Sequence, residues 1–391
     1  MSGGRRIVVV GGSQAGCATA AALRRFGFDG EITVIGDELH RPYARPPLSK
    51  GILGGTEPDD SVFLSTADDL DIVGGVRAVR LDVVRKRVEL SDKDCIRYDG
   101  LVVATGARAR RLSQYADEIT LRTLDDAIQL RERFDGAREV AVAGGGFLGF
   151  EIASTAASLG KAVTVVDQIA PLAGRLGPLL SDIVLIAAAE AGVKVRVSTG
   201  GVELGRSGHG GDRLQSADGA VLAEADVVVT AVGDVPNVEW LRGSGIALNG
   251  GVVVDGDCRV SPDIVAAGDV TSAPGVGGRY GRTPHWWNAS EQATTAAATL
   301  LGREPDTWPG SRVPFFWTEV FGLRIRLAGH LPPFGEPVVI GGSLADRSVL
   351  LAWSPPDGGT GIGTAAAVNF PISAPKLIRL AEDPTARGGP R

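Results

Sequence analysis

Two glycine-rich turns constrain the fold of this chain more than any other feature. Gly11-Gly12-Ser13-Gln14-Ala15-Gly16 follows the apolar run Arg6–Val10, and Gly144-Gly145-Gly146-Phe147-Leu148-Gly149 follows Val140–Ala143. In each turn the glycines let the backbone bend tightly and approach a pyrophosphate, and the helix that follows offers free amides to this anion. The repeated pattern therefore predicts two strand–turn–helix units, each able to bind a dinucleotide.

The two turns differ at the middle position of the glycine fingerprint. Gly144, Gly146 and Gly149 complete the fingerprint in the second turn, whereas Ser13 takes the place of the middle glycine in the first. Serine is small enough to leave room for a pyrophosphate. Both turns are therefore predicted to bind, although the first matches the fingerprint less closely.

An acidic residue follows the second strand of each unit. Glu31–Ile35 leads to Asp37, and Ala162–Val166 leads to Asp167. An acid at this position accepts hydrogen bonds from a ribose. Because it also repels a 2′-phosphate, Asp167 favours NADH over NADPH. One fingerprint alone is often only a tight turn, but two copies with matching strands and acids favour binding.

Composition excludes several classes of protein. With 391 residues, 44% of them hydrophobic, and 55 glycines, the chain is expected to form about two to three globular domains. A net charge of −6 argues against nucleic-acid binding. No apolar run approaches the length of a membrane span, and the first strand begins too early to follow a secretion signal. We therefore predict a cytoplasmic protein that has no membrane partner.

The cysteines exclude thiol and zinc chemistry at the sequence level. Cys17, Cys95 and Cys258 form neither a Cys-x-x-Cys dithiol nor a zinc framework, so we predict no disulfide reductase, no thiol peroxidase and no metal site. Cys17 falls on the apolar face of the first predicted helix, where packing is its expected role. Cys95 and Cys258 lie in polar, turn-like stretches and are assigned no role.

The strands between and after the two fingerprints predict that one nucleotide-binding domain is inserted into the other. Leu101–Ala104 and its Thr105-Gly106 turn close the first lobe, and Asp226–Thr230, followed by Gly233, ends the second. The chain then returns through Asp263–Ala267 to Gly268 and Asp269, whose carboxylate can bind hydroxyls.

The remaining chain predicts a helix and a further domain. Ala289–Leu301 is rich in alanine and free of glycine and proline, which favours a helix. Aromatic residues and short β-prone runs such as Val349–Trp353 follow Val313 and indicate a C-terminal α+β domain. The predicted fold class is α/β, with two Rossmann-like dinucleotide-binding domains and this third domain. The predicted domains comprise residues 1–108 with 236–312, 109–235 and 313–391.

The segment Arg41–Lys50, in combination with the features above, resembles the FAD-dependent, NADH-using ferredoxin reductases that serve Rieske oxygenases and cytochromes P450. The resemblance spans nearly the whole chain and implies a glutathione-reductase-like fold. Further matching stretches are Ala104–Gly106, Gly144–Glu151, Ala267–Val270, His285–Ala289 and Pro314–Trp317.

The resemblance implies that the first fingerprint binds FAD. Asp37 would contact the adenosine ribose, Arg45 and Lys50 the flavin side, Asp269 the ribityl or pyrophosphate, and Trp286 the isoalloxazine. The full implied set of FAD-binding residues is Gly11, Gly12, Ser13, Gly16, Asp37, Arg45, Lys50, Val79, Ala104, Thr105, Gly106, Asp269 and Trp286.

The second fingerprint, by the same resemblance, binds NADH. Family members usually have a glutamate at the position of Asp167 and an arginine eight residues later, which Arg175 matches, and both contact the adenosine end of the cofactor. Gly233 falls where the family lets the backbone approach NADH. The implied NADH-binding set is Gly144, Gly146, Phe147, Leu148, Gly149, Glu151, Asp167, Arg175 and Gly233.

Lys50 and Glu151 match the ion pair that family members place beside the flavin, near the nicotinamide. We therefore predict them as the catalytic pair, because an ammonium can stabilise the negative charge that the flavin ring acquires on reduction. From the residues alone, a solvated surface lysine and an acid at a helix N-terminus stay open as alternatives. The chain departs from the family pattern at Ala44, where an aspartate is common, and at Pro284, where a polar or acidic residue is common.

The implied activity is hydride transfer from NADH to FAD, followed by single-electron transfer to a ferredoxin-type iron–sulfur protein. Two alternatives stay open: a redox-sensing protein of the apoptosis-inducing-factor type, and an oxidoreductase that reduces a quinone, oxygen or a small molecule. An acidic ferredoxin could dock on the arginines of the C-terminal region, namely Arg303, Arg312, Arg324 and Arg326. Monomer and dimer both remain open.

Overall fold

The computed structural model describes residues 4–66, 70–206, 212–275, 278–303, 313–355 and 362–383. Its helices follow the glycine turns and flank the sheets. They are α1 (Gln14–Arg25), α2 (Leu124–Gly136), α3 (Phe147–Ser158), α4 (Ala173–Glu190), α5 (Trp286–Leu300) and α6 (Ala374–Glu382), with short 3-10 turns at Pro46–Ser49, Asp59–Val62 and Glu239–Leu241.

The strands are mostly short. In chain order they are β1 (Arg6–Val10), β2 (Glu31–Ile35), β3 (Asp71–Val73), β4 (Ala78–Asp82), β5 (Arg87–Leu90), β6 (Cys95–Arg97), β7 (Gly100–Val103), β8 (Ala107–Ala109), β9 (Ile119–Thr120), β10 (Glu139–Ala143), β11 (Ala162–Asp167), β12 (Lys194–Val197), β13 (Glu203–Arg206), β14 (Asp212–Gln215), β15 (Val221–Ala225), β16 (Val227–Thr230), β17 (Asp234–Pro236), β18 (Val252–Val253), β19 (Arg259–Ser261), β20 (Ile264–Ala266), β21 (Thr271–Pro274), β22 (Tyr280–Gly281), β23 (Phe315–Val320), β24 (Leu323–Gly329), β25 (Val338–Ser343), β26 (Ser348–Trp353) and β27 (Thr364–Val368).

The chain packs into two compact units. The first unit comprises Met1–Ala44, Val62–Arg108 and Val235–Gly310, and the second comprises Arg45–Ser61, Ala109–Asp234 and Ser311–Arg391. The second unit thus contains the segment 45–61 as well as the C-terminal region. The division into three domains at residues 108, 235 and 312 stays a prediction.

A mainly parallel sheet forms the centre of the first unit, with strand order β19-β20-β7-β1-β2-β3. Only β19 runs antiparallel to its neighbour among the pairs of this sheet in the described residues. Ile7 and Val9 pack on the side of α1 and α5, and Val8 and Val10 pack on the side of the antiparallel sheet β4-β5-β6. Because β1 is buried on both faces, its sequence is a continuous apolar run.

A second parallel sheet, with strand order β12-β11-β10-β16-β9, lies in the second unit. One of its faces packs through Ala141, Ala143 and Val166 against Leu204 and Leu214 of the antiparallel sheet β13-β14-β15. The C-terminal region forms an antiparallel sheet, β23-β24-β27-β26-β25, on which α6 packs. The model thus confirms the predicted α/β class.

The segment Ala109–Asp234 begins and ends at one place in the second unit. The Arg110 amide donates a hydrogen bond to the Gly233 carbonyl at 3.0 Å, and the Arg110 guanidinium donates to the Asp234 carbonyl at 3.2 Å. Two residues that are far apart in sequence therefore close the base of this segment.

Three local predictions need correction. Helix α5 begins at Trp286, three residues before the predicted start at Ala289, because the extended backbone of His285 already provides the N-cap. Cys95 lies on strand β6 and not in a turn. Cys258 does close a turn, since its amide donates to the Asp255 carbonyl at 3.2 Å, but it is only 4% exposed and packs in the core of the first unit.

Among the described helices, none combines the length and apolar character needed to cross a membrane.

Candidate functional site

The first glycine turn can be built only from glycine at its outer positions. Gly11 has a φ of +125°, and a Cβ added there would lie 2.0 Å from the Ala104 carbonyl oxygen. A Cβ on Gly16 would lie 1.8 Å from the Gly11 carbonyl oxygen. The Gly11 amide donates to the Ile35 carbonyl at 2.7 Å. The turn is thus held at the carboxyl ends of β1, β2 and β7, where open α/β sheets bind ligands.

The second turn repeats this geometry in the second unit. Gly144 has a φ of +106°, and its added Cβ would lie 2.3 Å from the Ala231 carbonyl oxygen, while that of Gly149 would lie 1.9 Å from the Gly144 carbonyl oxygen. Among the described residues, no atom lies within 4 Å of a Cβ added to Gly146, the middle glycine. The space above the middle position is therefore open to a ligand.

The helices that follow the two turns are not capped by a side chain at their N-termini. The N-cap residues are Ser13 for α1 and Gly146 for α3, and neither makes a side-chain capping bond within the described chain. The first amides of a helix have no partner within the helix. Near them, Gln14 Oε1 is buried with no hydrogen-bond partner in the described residues, although Gln14 Nε2 donates to Ser290 Oγ at 2.8 Å. These turns fit the pyrophosphate of a dinucleotide.

The two predicted ribose acids have different surroundings. Asp37 is exposed, and the Arg77 guanidinium lies 4.0 Å from its carboxylate. Asp167 instead accepts a hydrogen bond from the Gly145 amide at 2.6 Å through Oδ2 and from the Gln168 amide at 2.6 Å through Oδ1. Asp167 therefore stabilises the second turn from the end of β11. Its ribose contact stays a prediction.

The turn after β7 is held by a residue that sequence reasoning missed. Thr105 Oγ1 donates to the Asn237 carbonyl at 2.8 Å, and the Asn237 side chain donates back to the Thr105 carbonyl at 2.9 Å. The Asn237 amide also donates to the Gly106 carbonyl at 3.0 Å. Asn237 thus fixes the predicted Ala104–Gly106 segment, although no sequence motif marks it.

The start of α5 lies beside the first turn. Gln14 of α1 bonds Ser290, whose hydroxyl donates to the Trp286 carbonyl at 3.3 Å. The Gly268 amide, next to Asp269, donates to Gln292 Oε1 of α5 at 2.8 Å. The structure therefore brings the N-terminus of α5 and the Gly268 turn close to α1. Val79 lies on β4 and is 48% exposed.

An ion pair in the second unit joins the two predicted catalytic residues. Lys50 follows the 3-10 turn Pro46–Ser49, and its Nζ lies 2.6 Å from Glu151 Oε2 on α3. Lys50 Nζ also donates to the Pro46 carbonyl at 3.1 Å. The side chains are 23% and 11% exposed, respectively. Lys50 is therefore neither freely solvated nor fully buried.

Two hydroxyls that the sequence reasoning did not identify complete the bonding of Glu151. Thr318 Oγ1 on β23 donates to Oε1 at 2.7 Å, and Ser49 Oγ donates to Oε2 at 2.5 Å. Thr155 Oγ1 donates to the Ser49 carbonyl at 2.7 Å and so fixes the 3-10 turn against α3. Each oxygen of this nearly buried carboxylate thus has a donor, as a buried charge requires.

Comparisons with known proteins place this chain in a family. The family model of the pyridine nucleotide-disulphide oxidoreductases matches residues 5–296. The chain belongs to this family. The ferredoxin reductase component of chlorobenzene dioxygenase from Cupriavidus sp. (strain PS12) is 36% identical over 363 residues, covering 88% of this chain and 85% of that protein.

Two further known proteins are similar to this chain over most of its length. Rhodocoxin reductase from Rhodococcus erythropolis is 36% identical over 337 residues, which cover 83% of this chain and 78% of that protein. The crystal structure of the covalent putidaredoxin reductase–putidaredoxin complex contains a chain that superposes with a TM-score of 0.86 and 29% identity. The match covers 98% of this chain and 95% of that chain.

The other predicted residues of this oxidoreductase are less closely grouped. Arg45 donates to the Arg122 carbonyl at 2.5 Å and, like Lys50, packs in the second unit. Arg175 is exposed on α4. Gly233 has a φ of +101°, and no described atom lies within 4 Å of a Cβ added to it. Phe147 packs on Phe316 with ring centroids 4.1 Å apart. Leu148 is half-buried on the first turn of α3.

The predicted arginine patch is only partly described. Arg324 pairs with Glu319 at 2.9 Å, and Arg326 donates to the carbonyls of Ile372 and Phe370. Arg303 packs over the Phe26 ring. Arg312 lies outside the described residues. Arg326 therefore has a structural role in the C-terminal sheet, and the docking role of the four arginines stays a prediction.

Proposed function

We propose that this chain is a cytoplasmic FAD-dependent NADH:ferredoxin oxidoreductase that supplies electrons to a ferredoxin-type iron–sulfur protein serving an oxygenase or P450. The observation that carries the proposal is the duplicated glycine turn, each copy followed by a helix N-terminus, in a chain that also holds the Lys50–Glu151 pair. The relatives named as ferredoxin reductase components support the acceptor.

Each glycine turn is assigned one cofactor. The first turn would hold FAD through the amides that follow Ser13, with Asp37 at the ribose and Asp269 and Trp286 nearer the flavin. The second would hold NADH through the amides that follow Gly146, with Asp167 and Arg175 at the adenosine end. Bound FAD accepts two electrons with a hydride and releases electrons singly, which suits an exchange between NADH and an iron–sulfur protein.

The Lys50–Glu151 pair is assigned the electrostatic part of the reaction. Glu151 keeps the ammonium of Lys50 in place, and Lys50 offers positive charge where negative charge develops. An ammonium has three N–H donors, and Glu151 and Pro46 accept two of them. The third N–H of Lys50 would be available to a ligand.

Anaerobic addition of NADH to the purified yellow protein tests the first half of the proposal. We expect the flavin absorbance to bleach after mixing, and a protein that stays yellow would refute hydride transfer from NADH. Reconstitution with FAD precedes the experiment, so that loss of cofactor during purification cannot be mistaken for inactivity.

The second half concerns the electron acceptor. Steady-state rates with a ferredoxin, a quinone and oxygen, measured side by side on one preparation, should be highest with the ferredoxin, because similar proteins are named as ferredoxin reductase components. Faster reduction of the quinone or of oxygen would show that the ferredoxin is not the preferred acceptor and would contradict this half of the proposal. Slow bleaching, a long-lived charge-transfer band and no acceleration by any acceptor would instead support a redox-sensing protein.

A further inference from the structure

The carboxylate of Glu151 accepts hydrogen bonds from two separate parts of the second unit. Oε2 accepts from Ser49 and Lys50, which are neighbours in the chain, whereas Oε1 accepts from Thr318 on β23. As whole residues, Glu151, Ser49 and Thr318 are 9%, 3% and 2% exposed. Thr318 is therefore the contact that ties the catalytic pair to the C-terminal sheet.

The pairing of Glu151 with Thr318 follows from the register of α3 on β23. Phe147 packs on Phe316, Glu151 bonds Thr318, and Ser154 Oγ accepts from the Phe321 amide at 2.8 Å. Four residues of a helix advance about 6 Å and two residues of a strand about 6.7 Å, so the step from Phe147 to Glu151 matches the step from Phe316 to Thr318.

The hairpin that follows β23 fixes this register. Val320, the last residue of the strand, is buried, and Phe321 and Gly322 occupy the turn with φ values of +49° and +74°. The Phe321 ring lies edge-on to Phe150 with centroids 5.9 Å apart. Contacts on both sides of Thr318 therefore prevent it from sliding along α3.

We propose that Thr318 is a positioning residue that acts through Glu151 to orient the ammonium of Lys50. A hydroxyl that donates to one carboxylate oxygen prevents rotation of the carboxylate about its terminal torsion, which is otherwise soft. The β-branched side chain of Thr318 has few rotamers, so the donor itself is fixed. The consequence for catalysis rests on the proposed function, but the geometric role does not.

Ser49 cannot replace Thr318 in this role. Its hydroxyl donates to Oε2, the oxygen that Lys50 also contacts, whereas among the described residues only Thr318 donates to Oε1. Thr318 is anchored in a separate sheet by the ladder between β23 and β24, in which it pairs with Ile325. Removal of the Thr318 hydroxyl should therefore loosen the ion pair even though Ser49 remains.

Chemical labelling tests the geometric role without any cofactor chemistry. Limited acetylation of the folded, FAD-reconstituted protein, read by mass spectrometry, gives the reactivity of Lys50 relative to the exposed Lys194. We expect Thr318→Val to raise this ratio about threefold or more, because a loosened ion pair frees the amine. Thr318→Ser should restore it. An unchanged ratio in Thr318→Val would overturn the proposal.

The matched control is Thr364→Val in the same sheet. Thr364 is 3% exposed and donates to the His330 carbonyl at 2.6 Å, but it has no contact with Glu151 among the described residues. Its substitution removes an equally buried hydroxyl and should leave the Lys50 ratio unchanged. An equal rise in both variants would indicate general loosening and contradict the proposal. If Thr318→Val does not fold, Thr318→Ala removes the same donor.

Rapid kinetics of flavin reduction test the catalytic consequence. Thr318→Val should lower the limiting rate about tenfold and change the half-saturating NADH concentration less than about twofold. In a Glu151→Gln background the same substitution should add less than about twofold, because the two residues act as one unit. Equal slowing in both backgrounds would contradict the proposal. Failure of NADH to reduce the native protein would refute the proposed function, while labelling would still decide the role of Thr318.

Discussion

The two glycine turns have nearly the same backbone but differ in the side chains around them. Gly11 and Gly144 both have positive φ values and both face a carbonyl oxygen, at 2.0 and 2.3 Å from an added Cβ. Two residues after the last glycine of each turn, however, α1 has Ala18 where α3 has Glu151. Steric limits therefore fix the turn, and the residues on the following helix decide what chemistry it can support.

The acids of the two units differ in the same way. Asp37 is exposed and bonded only loosely to Arg77, whereas both oxygens of Asp167 accept backbone amides. The carboxylate of Asp167 is therefore fixed by the backbone of its own turn, whereas that of Asp37 faces the solvent.

The largest expected effect comes from adding a methyl group to each turn. Gly11→Ala should give a colourless protein or none. Gly144→Ala should keep the flavin but lower its reduction by NADH about 100-fold or more, since small misplacements of a bound reactant are costly. Flavin absorbance and rapid kinetics distinguish the two. Gly136→Ala is the control, because no described atom lies within 4 Å of its added Cβ. Loss of flavin in Gly144→Ala would reverse the assignment of the turns.

The next effect concerns the charge that only the second helix has. Glu151→Gln should slow flavin reduction by about 100-fold without loss of FAD, because Lys50 loses the charge that holds it. The limiting rate and the flavin content per chain are the measurements. Glu190→Gln removes the same charge from an exposed pair with Arg347 and should have little effect. Release of FAD with an unchanged rate in the remaining holoenzyme would contradict the role of Glu151.

A smaller effect is expected for cofactor preference. Native protein should use NADPH far less well than NADH. Asp167→Asn should lower the ratio of the efficiencies with NADH and NADPH about tenfold, because repulsion between the carboxylate and the 2′-phosphate, both partly solvated, is worth on the order of 1 kcal/mol. Asparagine still has an oxygen to accept the Gly145 amide. The equivalent change in the first unit, Asp37→Asn, should leave the ratio of the two efficiencies unchanged. Comparable use of both cofactors by the native protein would refute the role of Asp167.

The smallest effect concerns Cys17, which α1 has where α3 has Phe150. Burial raises the pKa of the Cys17 thiol from 9.0 to about 11, and burial raises that of Cys258 to about 12. Unfolded thiols ionise first as the pH rises, so the free energy of unfolding should fall above pH 9. Urea titrations at about pH 8 and about pH 10 give the free energy of unfolding of the native protein and of Cys17→Ala. Between these two pH values this free energy should fall by about 1 kcal/mol more in the native protein.

The same thiols give a simple check at constant pH. At about pH 8 a thiol reagent should modify the exposed Cys95 quickly and the two buried thiols slowly, whereas all three should react in denaturant. Rapid modification of Cys17 in the folded protein would show that α1 is less tightly packed than the structure indicates.

The sequence was sufficient for the features that depend on local pattern. The apolar runs predicted β1, β2, β10 and β11 because parallel strands that are buried on both faces are near-continuous apolar runs. The start of α5 was misplaced because tryptophan and asparagine are weaker helix formers than alanine, so packing and not propensity extends the helix to Trp286.

The missing parts of the site depend on contacts between distant segments. Thr318 lies 167 residues from Glu151, and Asn237 lies 132 residues from Thr105. A hydroxyl or an amide has no sequence signature of its own, because such residues are common in turns and strands with no partner in a site. Lys50 and Glu151 could be predicted only through the family resemblance, and the donors that hold them required the structure.

The hydrogen bond from Arg110 to Gly233 has a consequence for how such proteins diversify. A segment whose first and last residues touch can be exchanged between homologous genes as a cassette without stretching or compressing the polypeptide on either side. Swapping this stretch between relatives would then offer a direct way to graft a new preference for the electron donor onto an unaltered flavin-holding scaffold.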